Sequence, residues 1–220
     1  MKKIISVLLI VLLCLLSCPL AGCAAIVKEG EKTRFLMDTQ VTIRLYDYPR
    51  GEAGEAIFAE AFSLIAEIEA ALSATVETSD VVRINRDRSA DDLSLHTLAV
   101  LRLCQTVQSE TDGAFLATMG GVGALWKQAG ETDALPDPAA LEAAVTAARA
   151  GFTLTETGCS LNADGALLDL GGVGKGYAMD RVMEALQAHS ELGGAIVSFG
   201  SNVSVFGKKG NVLGPTSIPI

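Results

Sequence analysis

The chain has 220 residues, half of them hydrophobic, and a formal net charge of −9 at pH 7. This length suits one sizeable domain or two small ones. The acidic balance argues against nucleic acid as a partner, because nucleic-acid backbones attract basic surfaces.

The first 22 residues have the pattern of a secretory leader and are excluded from the fold. Lys2 and Lys3 form a basic start, and residues 4–16 are a continuous apolar run, too short to span a bilayer comfortably. Residues 20–23 read Leu-Ala-Gly-Cys, which indicates a lipobox with Cys23 lipidated at the mature N-terminus. The alternatives are an ordinary secretory leader or a membrane anchor.

The first part of the expected domain combines one strand with one long helix. Residues 23–34 are polar with little pattern, and we interpret them as a tether between the anchor and the domain. Alternating apolar residues at 41–45 predict a half-buried strand, which the turn at 49–51 ends. Apolar residues then recur at helical spacing over Glu52–Leu72, which predicts an amphipathic helix.

Two more helices are predicted from their end signals. Ser94 can cap a helix that extends through about Glu110, and the Asp112–Gly113 pair stops it. Pro138 follows Asp137 and fits the first turn of a further helix, which Gly151 ends.

The rest of the chain predicts short strands separated by glycine turns, with one helix among them. The strands are expected at 153–155, 160–163, 167–170, 195–199 and 203–206, and the helix at 174–189. Helices and strands mix without regular βαβ alternation or an internal repeat, so we expect a single α+β domain over residues 35–207. Residues 208–220 are irregular, and we expect the domain to be incomplete at its C-terminus.

The glycine-rich turn at residues 171–176 is the most informative segment. It connects a leucine-rich strand to a helix with Lys175 near its start, which presents backbone N–H groups and a positive helix end to an anion. A P-loop would need glycine in place of Asp169 and Ser or Thr after Lys175, and the glycine spacing of the dinucleotide fingerprint is also absent. The alternative is a tight turn without a ligand.

Two other features leave their interpretation open. Asp169 ends an apolar strand, where an unpaired charge is costly, so it accepts hydrogen bonds from a ligand or pairs with Lys175 or the backbone of the turn. The small residues around Phe115, at 112–115 and 118–121, either let the backbone approach a flat ligand or form a plain loop with Phe115 in the core.

The histidines and the later cysteines form no catalytic or zinc pattern. His96 and His189 each lie on a predicted helix without a partner motif, so we expect surface or core placement. Cys104 and Cys159 are far apart in sequence, and we expect two separate buried thiols rather than a disulfide.

Taken together, these segments resemble the FAD:protein FMN transferases, the ApbE-type flavinyltransferases. The matching residues are 37–43, 72–85, 111–126, 169–180 and 195–202. The resemblance implies a lipid-anchored enzyme at the extracytoplasmic face of the cell membrane that takes FAD and Mg²⁺. It would transfer the FMN moiety to a threonine hydroxyl of an acceptor protein, such as a subunit of a membrane redox pump, and release AMP.

The resemblance also implies roles for individual residues. The residues expected to contact FAD are Met37, which packs on the flavin end, Ala114, Phe115, Leu116, Asp169 and Lys175. Gly172 would offer its backbone carbonyl to Mg²⁺.

The chain departs from the family pattern at three places. An aromatic residue that stacks on the ligand is expected near Thr75, and an aspartate is expected at Leu116. The family's two metal-binding aspartates and the adjoining threonine belong to a segment beyond Ile220, so we expect a truncated member with little transferase activity alone. The alternatives are a lipid-anchored FAD-binding protein without catalysis and a structural lipoprotein domain that binds no nucleotide.

Overall fold

The structure is a computed structural model that describes residues 26–207 and has an α+β fold. In chain order the elements are β1 (Ile26–Leu36), β2 (Thr39–Pro49), α1 (Glu52–Leu72), α2 (Asp80–Asp87), β3 (Ser89–Ala90), α3 (Leu95–Glu110), α4 (Gly120–Thr132), α5 (Pro138–Ala150), β4 (Phe152–Leu154), β5 (Cys159–Leu161), α6 (Gly171–Ala188), β6 (Gly194–Phe199) and β7 (Asn202–Gly207). The predicted leader, its lipidation site Cys23 and the tail at 208–220 lie outside the described residues. No helix within 26–207 has both the length and the apolar character needed to cross a membrane.

Two antiparallel sheets organise the domain. The larger has the strand order β1-β2-β6-β7, and the smaller has the order β3-β5-β4. Val41, Ile43 and Leu45 of β2 are fully buried, which confirms the predicted alternation. Helices α1 and α6 pack against the same face of the larger sheet, so the main core lies between that sheet and these helices.

Three helices have the bounds predicted from the sequence. Helix α1 covers the predicted residues, and its apolar stripe is buried. Helix α3 begins after Ser94, whose hydroxyl accepts a hydrogen bond from the Thr97 N–H at 3.0 Å. Helix α5 begins after Asp137, whose carboxylate accepts one from the Ala140 N–H at 2.8 Å. Caps are local interactions, which is why the sequence alone predicts these starts.

The prediction missed strand β1. Residues 26–34, which we interpreted as part of a tether, belong to this strand, and β1 pairs with β2 along its length. Its inward-facing residues include Lys32 and Arg34, whose charged groups lie over the rings of Phe58 and Phe62. Long cationic side chains therefore cover apolar surface here, and the expected apolar alternation is absent from the sequence.

The segment before α6 also differs from the prediction. Residues 167–170 form a single parallel bridge, between Leu167 and Met119, instead of a strand. Helix α6 begins at Gly171, three residues earlier than predicted, because the Leu170 carbonyl accepts hydrogen bonds from the N–H groups of Val173 (3.1 Å) and Gly174 (2.7 Å).

The cysteine prediction is confirmed. Cys104 and Cys159 are both buried and both free. Burial raises the pKa of the Cys104 thiol to about 11 and that of the Cys159 thiol to about 12. Both thiols are therefore neutral and unreactive at pH 7.

Candidate functional site

A groove lies where three of the sequence segments meet: the tip of the β1–β2 hairpin, the loop after α1, and the start of α6. Its volume is about 140 Å³, and its lining residues are Met37, Asp38, Glu69, Leu72, Ser73, Ala74, Thr75, Asp169, Leu170, Gly171, Gly174 and Lys175. Pockets for whole drug-sized ligands measure about 300–1,000 Å³. The groove therefore has room for part of a dinucleotide.

The hairpin tip is a two-residue turn in an unusual backbone conformation. Leu36 pairs with Thr39, and the residues between them, Met37 and Asp38, have φ angles of 51° and 57°. Positive φ angles at both positions match the twist of a hairpin but favour glycine, asparagine and aspartate, so Met37 is the unusual residue of the two. Each such residue costs roughly 1–3 kcal/mol unless its surroundings hold it in place.

Met37 is held from both of its ends. Its backbone N–H donates a hydrogen bond to the Glu69 carboxylate of α1 at 2.7 Å. Its terminal methyl group lies 3.6 Å from the position that a Cβ at Gly174 would occupy. The hairpin tip therefore rests on α1 and on the first turn of α6.

The loop after α1 is ordered by two serines. The Ser73 hydroxyl accepts hydrogen bonds from the N–H groups of Thr75 (3.1 Å) and Val76 (3.2 Å). The Ser79 hydroxyl donates one to the Ser73 carbonyl at 2.6 Å and also caps α2. This loop places Thr75 on the groove wall, at the position where the resemblance expects an aromatic side chain.

The segment before α6 is held by a side chain and a loop. The Asn85 amide donates to the Leu168 carbonyl at 2.9 Å, and its oxygen accepts from the Leu168 N–H at 2.7 Å. The Asp169 N–H donates to the Ala117 carbonyl at 2.8 Å. These bonds fix the backbone from which Asp169 and α6 enter the groove. The sequence placed Asn85 in a matching segment but assigned it no role.

Asp169 interacts with the turn and not with Lys175. Its carboxylate accepts a hydrogen bond from the Gly171 N–H at 2.9 Å, so it occupies one of the donors that the sequence predicted for an anion. The side chain is exposed, whereas Leu168 and Leu170 beside it are buried, so the expected cost of burial does not arise. The Lys175 side chain, which has no ion-pair partner among the described residues, and the positive end of α6 remain available to an anion in the groove.

The other residues expected at FAD lie outside the groove. None of Ala114, Phe115 and Leu116 lines the groove. Phe115 packs partly buried against the core, and its ring lies 3.7 Å from the position that a Cβ at Gly172 would occupy. Of the predicted ligand residues, the groove therefore brings together Met37, Asp169 and Lys175. The Phe115 ring lies outside the groove, against Gly172 in the first turn of α6.

The described residues do not fit a magnesium site by themselves. Gly172, whose carbonyl was expected to bind Mg²⁺, lies in the first turn of α6. Within residues 26–207 there is no group of three or more His, Cys, Asp or Glu side chains that could hold a metal ion. Mg²⁺ requires an octahedron of oxygen ligands, and one carbonyl does not supply it.

Both histidines join helices away from the groove. The His96 Nδ1 lies 2.9 Å from the Tyr177 hydroxyl, and burial raises the pKa of Tyr177. His189 lies within 3.2 Å of carboxylate oxygens of both Glu60 and Glu191. Neither histidine lines the groove, which agrees with the structural placement expected from the sequence.

Comparison with known proteins points to one family. A family model described as the ApbE family matches residues 37–220. The chain is 29% identical over 213 residues to a FAD:protein FMN transferase of Treponema pallidum (strain Nichols), covering 90% of this chain and 58% of that protein. It is 29% identical over 178 residues to the enzyme of the same name from Klebsiella pneumoniae (strain 342), covering 79% of this chain and 54% of that protein. The chain thus spans a little over half the length of these curated relatives.

Solved structures agree in fold. Flavin transferase ApbE from Vibrio cholerae superposes with a TM-score of 0.73 at 21% identity, covering 84% of this chain and 60% of that one. The ApbE protein from Thermotoga maritima superposes with a TM-score of 0.71 at 25% identity, covering 82% of this chain and 60% of that one.

Proposed function

The chain belongs to the ApbE family, and we propose that it binds FAD in the groove and transfers the FMN moiety to a threonine hydroxyl of an acceptor protein. The observation that carries this proposal is the meeting of Met37, Asp169 and Lys175 around one groove, from segments far apart in sequence. These are residues that the family resemblance independently assigns to FAD. The two curated relatives are both named FAD:protein FMN transferase, which supports transfer of FMN from FAD to a protein.

The proposed reaction exchanges the phosphoric anhydride bond of the FAD diphosphate for a phosphate ester on threonine. The threonine oxygen forms a bond to the phosphorus of the FMN half, and the bond from that phosphorus to the bridging oxygen breaks. The electron pair leaves with AMP, and the hydroxyl proton is released. Such transfers depend mainly on positioning and charge neutralisation.

The groove residues suit those two tasks. The Lys175 ammonium and the positive end of α6 would neutralise charge on the diphosphate. Met37 would offer a polarizable apolar contact to the flavin ring. Mg²⁺ dependence is proposed from the family alone.

The location is a second part of the proposal. From the leader pattern we propose that lipid on Cys23 anchors the protein at the extracytoplasmic face of the cell membrane. The acceptor would then be a protein that exposes its threonine on the same side.

The first experiment measures FAD binding by calorimetry for the wild-type protein and for Lys175→Ala. We expect the variant to weaken FAD binding about tenfold or more, because a charge-assisted contact contributes roughly 1.5–3 kcal/mol. Lys127→Ala is the matched control, since Lys127 is exposed on α4 and does not line the groove. The proposed site would be contradicted if the wild-type protein did not bind FAD, or if Lys175→Ala and Lys127→Ala bound FAD with equal affinity.

The second experiment tests transfer. The protein is incubated with FAD and a threonine-bearing acceptor, with and without Mg²⁺, and covalent flavin is read by fluorescence in a denaturing gel. We expect little transfer by this chain alone, as the resemblance implies, and one AMP released for each acceptor that is flavinylated. Retention of FAD with no AMP release at all would instead support the alternative of a FAD-binding protein without catalysis.

A further inference from the structure

Glu69 is a carboxylate on the wall of a groove proposed to bind an anion. It lies in the last turn of α1, is partly buried, and lines the groove beside Leu72. A carboxylate near a diphosphate repels it, so on charge alone this residue weakens nucleotide binding. Its hydrogen bond gives it a different task.

The only hydrogen bond described for the Glu69 carboxylate is with the hairpin tip. It accepts from the Met37 N–H at 2.7 Å, across 32 residues of sequence. Met37 has a positive φ angle, which few residues other than glycine, asparagine and aspartate adopt readily, and the following Asp38 has one as well. The turn therefore depends on an outside partner to keep this conformation.

The position of Met37 in turn shapes the groove. Its terminal methyl group and the Leu72 side chain both lie 3.6 Å from the position that a Cβ at Gly174 would occupy. A shift of the hairpin tip would move the Met37 side chain relative to the first turn of α6, where Lys175 lies.

We propose that Glu69 is a positioning residue of the nucleotide site, which acts by holding the Met37 backbone. The part of this proposal that concerns FAD rests on the proposed function. The part that concerns the hairpin stands on the hydrogen bond and the backbone angles alone.

Charge and position predict opposite results for Glu69→Ala. If the carboxylate only adds negative charge to the groove wall, its removal strengthens binding of anionic FAD. If it positions Met37, its removal weakens FAD binding, and we expect a loss of about tenfold or more. Glu69→Gln keeps an oxygen that can accept a hydrogen bond from the Met37 N–H and removes the charge. We therefore expect its Kd for FAD to lie within threefold of the wild-type value or to be lower.

The experiment measures two quantities for each variant: the Kd for FAD by calorimetry, and the exchange rate of the Met37 amide proton by NMR. Glu69→Ala should speed that exchange about tenfold or more, and Glu69→Gln should restore most of the protection. Glu67→Ala is the matched control, because Glu67 lies on the same helix, faces His96 at 3.6 Å and does not line the groove.

The outcomes separate the two proposals. If Glu69→Ala binds FAD as well as or better than the wild-type protein, or leaves Met37 exchange unchanged, the positioning role is wrong. If the wild-type protein does not bind FAD, the proposed function fails and the exchange rates still decide whether Glu69 holds the hairpin. Should Glu69→Ala fail to fold, Glu69→Asp, whose carboxylate is one methylene shorter, is expected to show the same faster exchange.

Discussion

Gly174 is the residue at which the first turn of α6, the hairpin tip and the end of α1 come together. A Cβ there would meet the Met37 methyl and the Leu72 side chain at 3.6 Å, which is ordinary van der Waals contact. A Cβ at Gly176, one residue beyond Lys175, would meet no atom of another part of the molecule within 4 Å. The two glycines therefore differ in their relation to the groove while sharing a helix.

We expect Gly174→Ala and Gly176→Ala each to raise the free energy of unfolding by about 0.5–1 kcal/mol, because alanine loses less backbone entropy in a helix. Only Gly174→Ala adds a methyl group beside Met37, so only it should weaken FAD binding. Urea unfolding and calorimetry measure the two effects. Equal FAD affinities for both variants would show that the nucleotide does not contact this part of α6.

The two buried thiols make stability depend on pH in the alkaline range. Their pKa values in the folded state, about 11 for Cys104 and about 12 for Cys159, exceed the ordinary thiol value of 9.0 because burial disfavours the thiolate. A raised pKa contributes stability that is complete below the unfolded value and is lost as pH rises towards the folded value.

We therefore expect the free energy of unfolding to fall from about pH 9 to pH 11, by at most about 1.4 kcal/mol per pH unit for each thiol. The double variant Cys104→Ala, Cys159→Ala should show a shallower decline, although it is less stable throughout. Urea unfolding at a series of pH values gives both slopes. Identical slopes would mean that these thiols do not ionise on unfolding in this range.

At the scale of elements, α2 organises the segment that leads into the groove. Asn85 holds both backbone groups of Leu168, and Arg88, just past the helix, donates hydrogen bonds to the carbonyls of Ala166 and Ala163. Side chains thus replace part of the strand ladder that the sequence led us to expect over 167–170. The apolar pattern of this segment reflects the burial of Leu168 and Leu170 in the core, and not strand pairing in a sheet.

Asn85→Ala should lower the free energy of unfolding by roughly 2–4 kcal/mol, because it leaves the Leu168 N–H and carbonyl without partners in a partly buried site. Asn85→Asp keeps the acceptor and loses the donor, so we expect an intermediate loss. Asn162→Ala, which removes exposed hydrogen bonds to Ala150 and Thr153, is the control and should cost less. A loss for Asn85→Ala no larger than that of the control would contradict this role.

Elements with local signals were predictable, and those that depend on partners were not. The caps at Ser94 and Asp137 and the apolar spacing of α1 are readable within a few residues. Helix α4 begins with the sequence Gly-Gly-Val-Gly, and Val122 is its only buried residue. Neither helix propensity nor a periodic apolar pattern therefore indicates this helix in the sequence. Strand β1 owes its structure to β2 and the rings of α1.

At the scale of the whole molecule, the predicted leader indicates that the domain is anchored to a membrane. Cys23 lies outside the described residues, so its lipidation stays a prediction from the sequence. We expect Cys23→Ser to move the protein from the membrane fraction to the soluble fraction and to abolish labelling by radioactive palmitate, because serine lacks the thiol that carries lipid. Cys18→Ser, within the leader, is the matched control and should stay in the membrane fraction. Membrane retention of unlabelled Cys23→Ser would indicate that the leader itself is the anchor.

The groove is also a property of the whole molecule, since its walls come from three segments that are far apart along the chain. The β2–β6 pairing and the packing of α1 against α6 bring Met37 next to Gly174, which lies more than a hundred residues later. The same packing places Glu69 within reach of the hairpin tip. No short-range pattern contains these contacts.

By itself the sequence determined the α+β class, the bounds of three helices, the burial of the two cysteines and the segments that resemble a flavin transferase. The helix bounds and the cysteine burial follow from spacing, caps and composition within short stretches, the class follows from the order of the elements, and the last point is a resemblance to a known family. The tertiary structure alone decided that Asp169 binds its own turn, that residues 114–116 do not line the groove, and that Glu69 holds Met37. Hydrogen-bond partners and lining residues depend on which distant segments pack together, and a linear pattern does not carry that information.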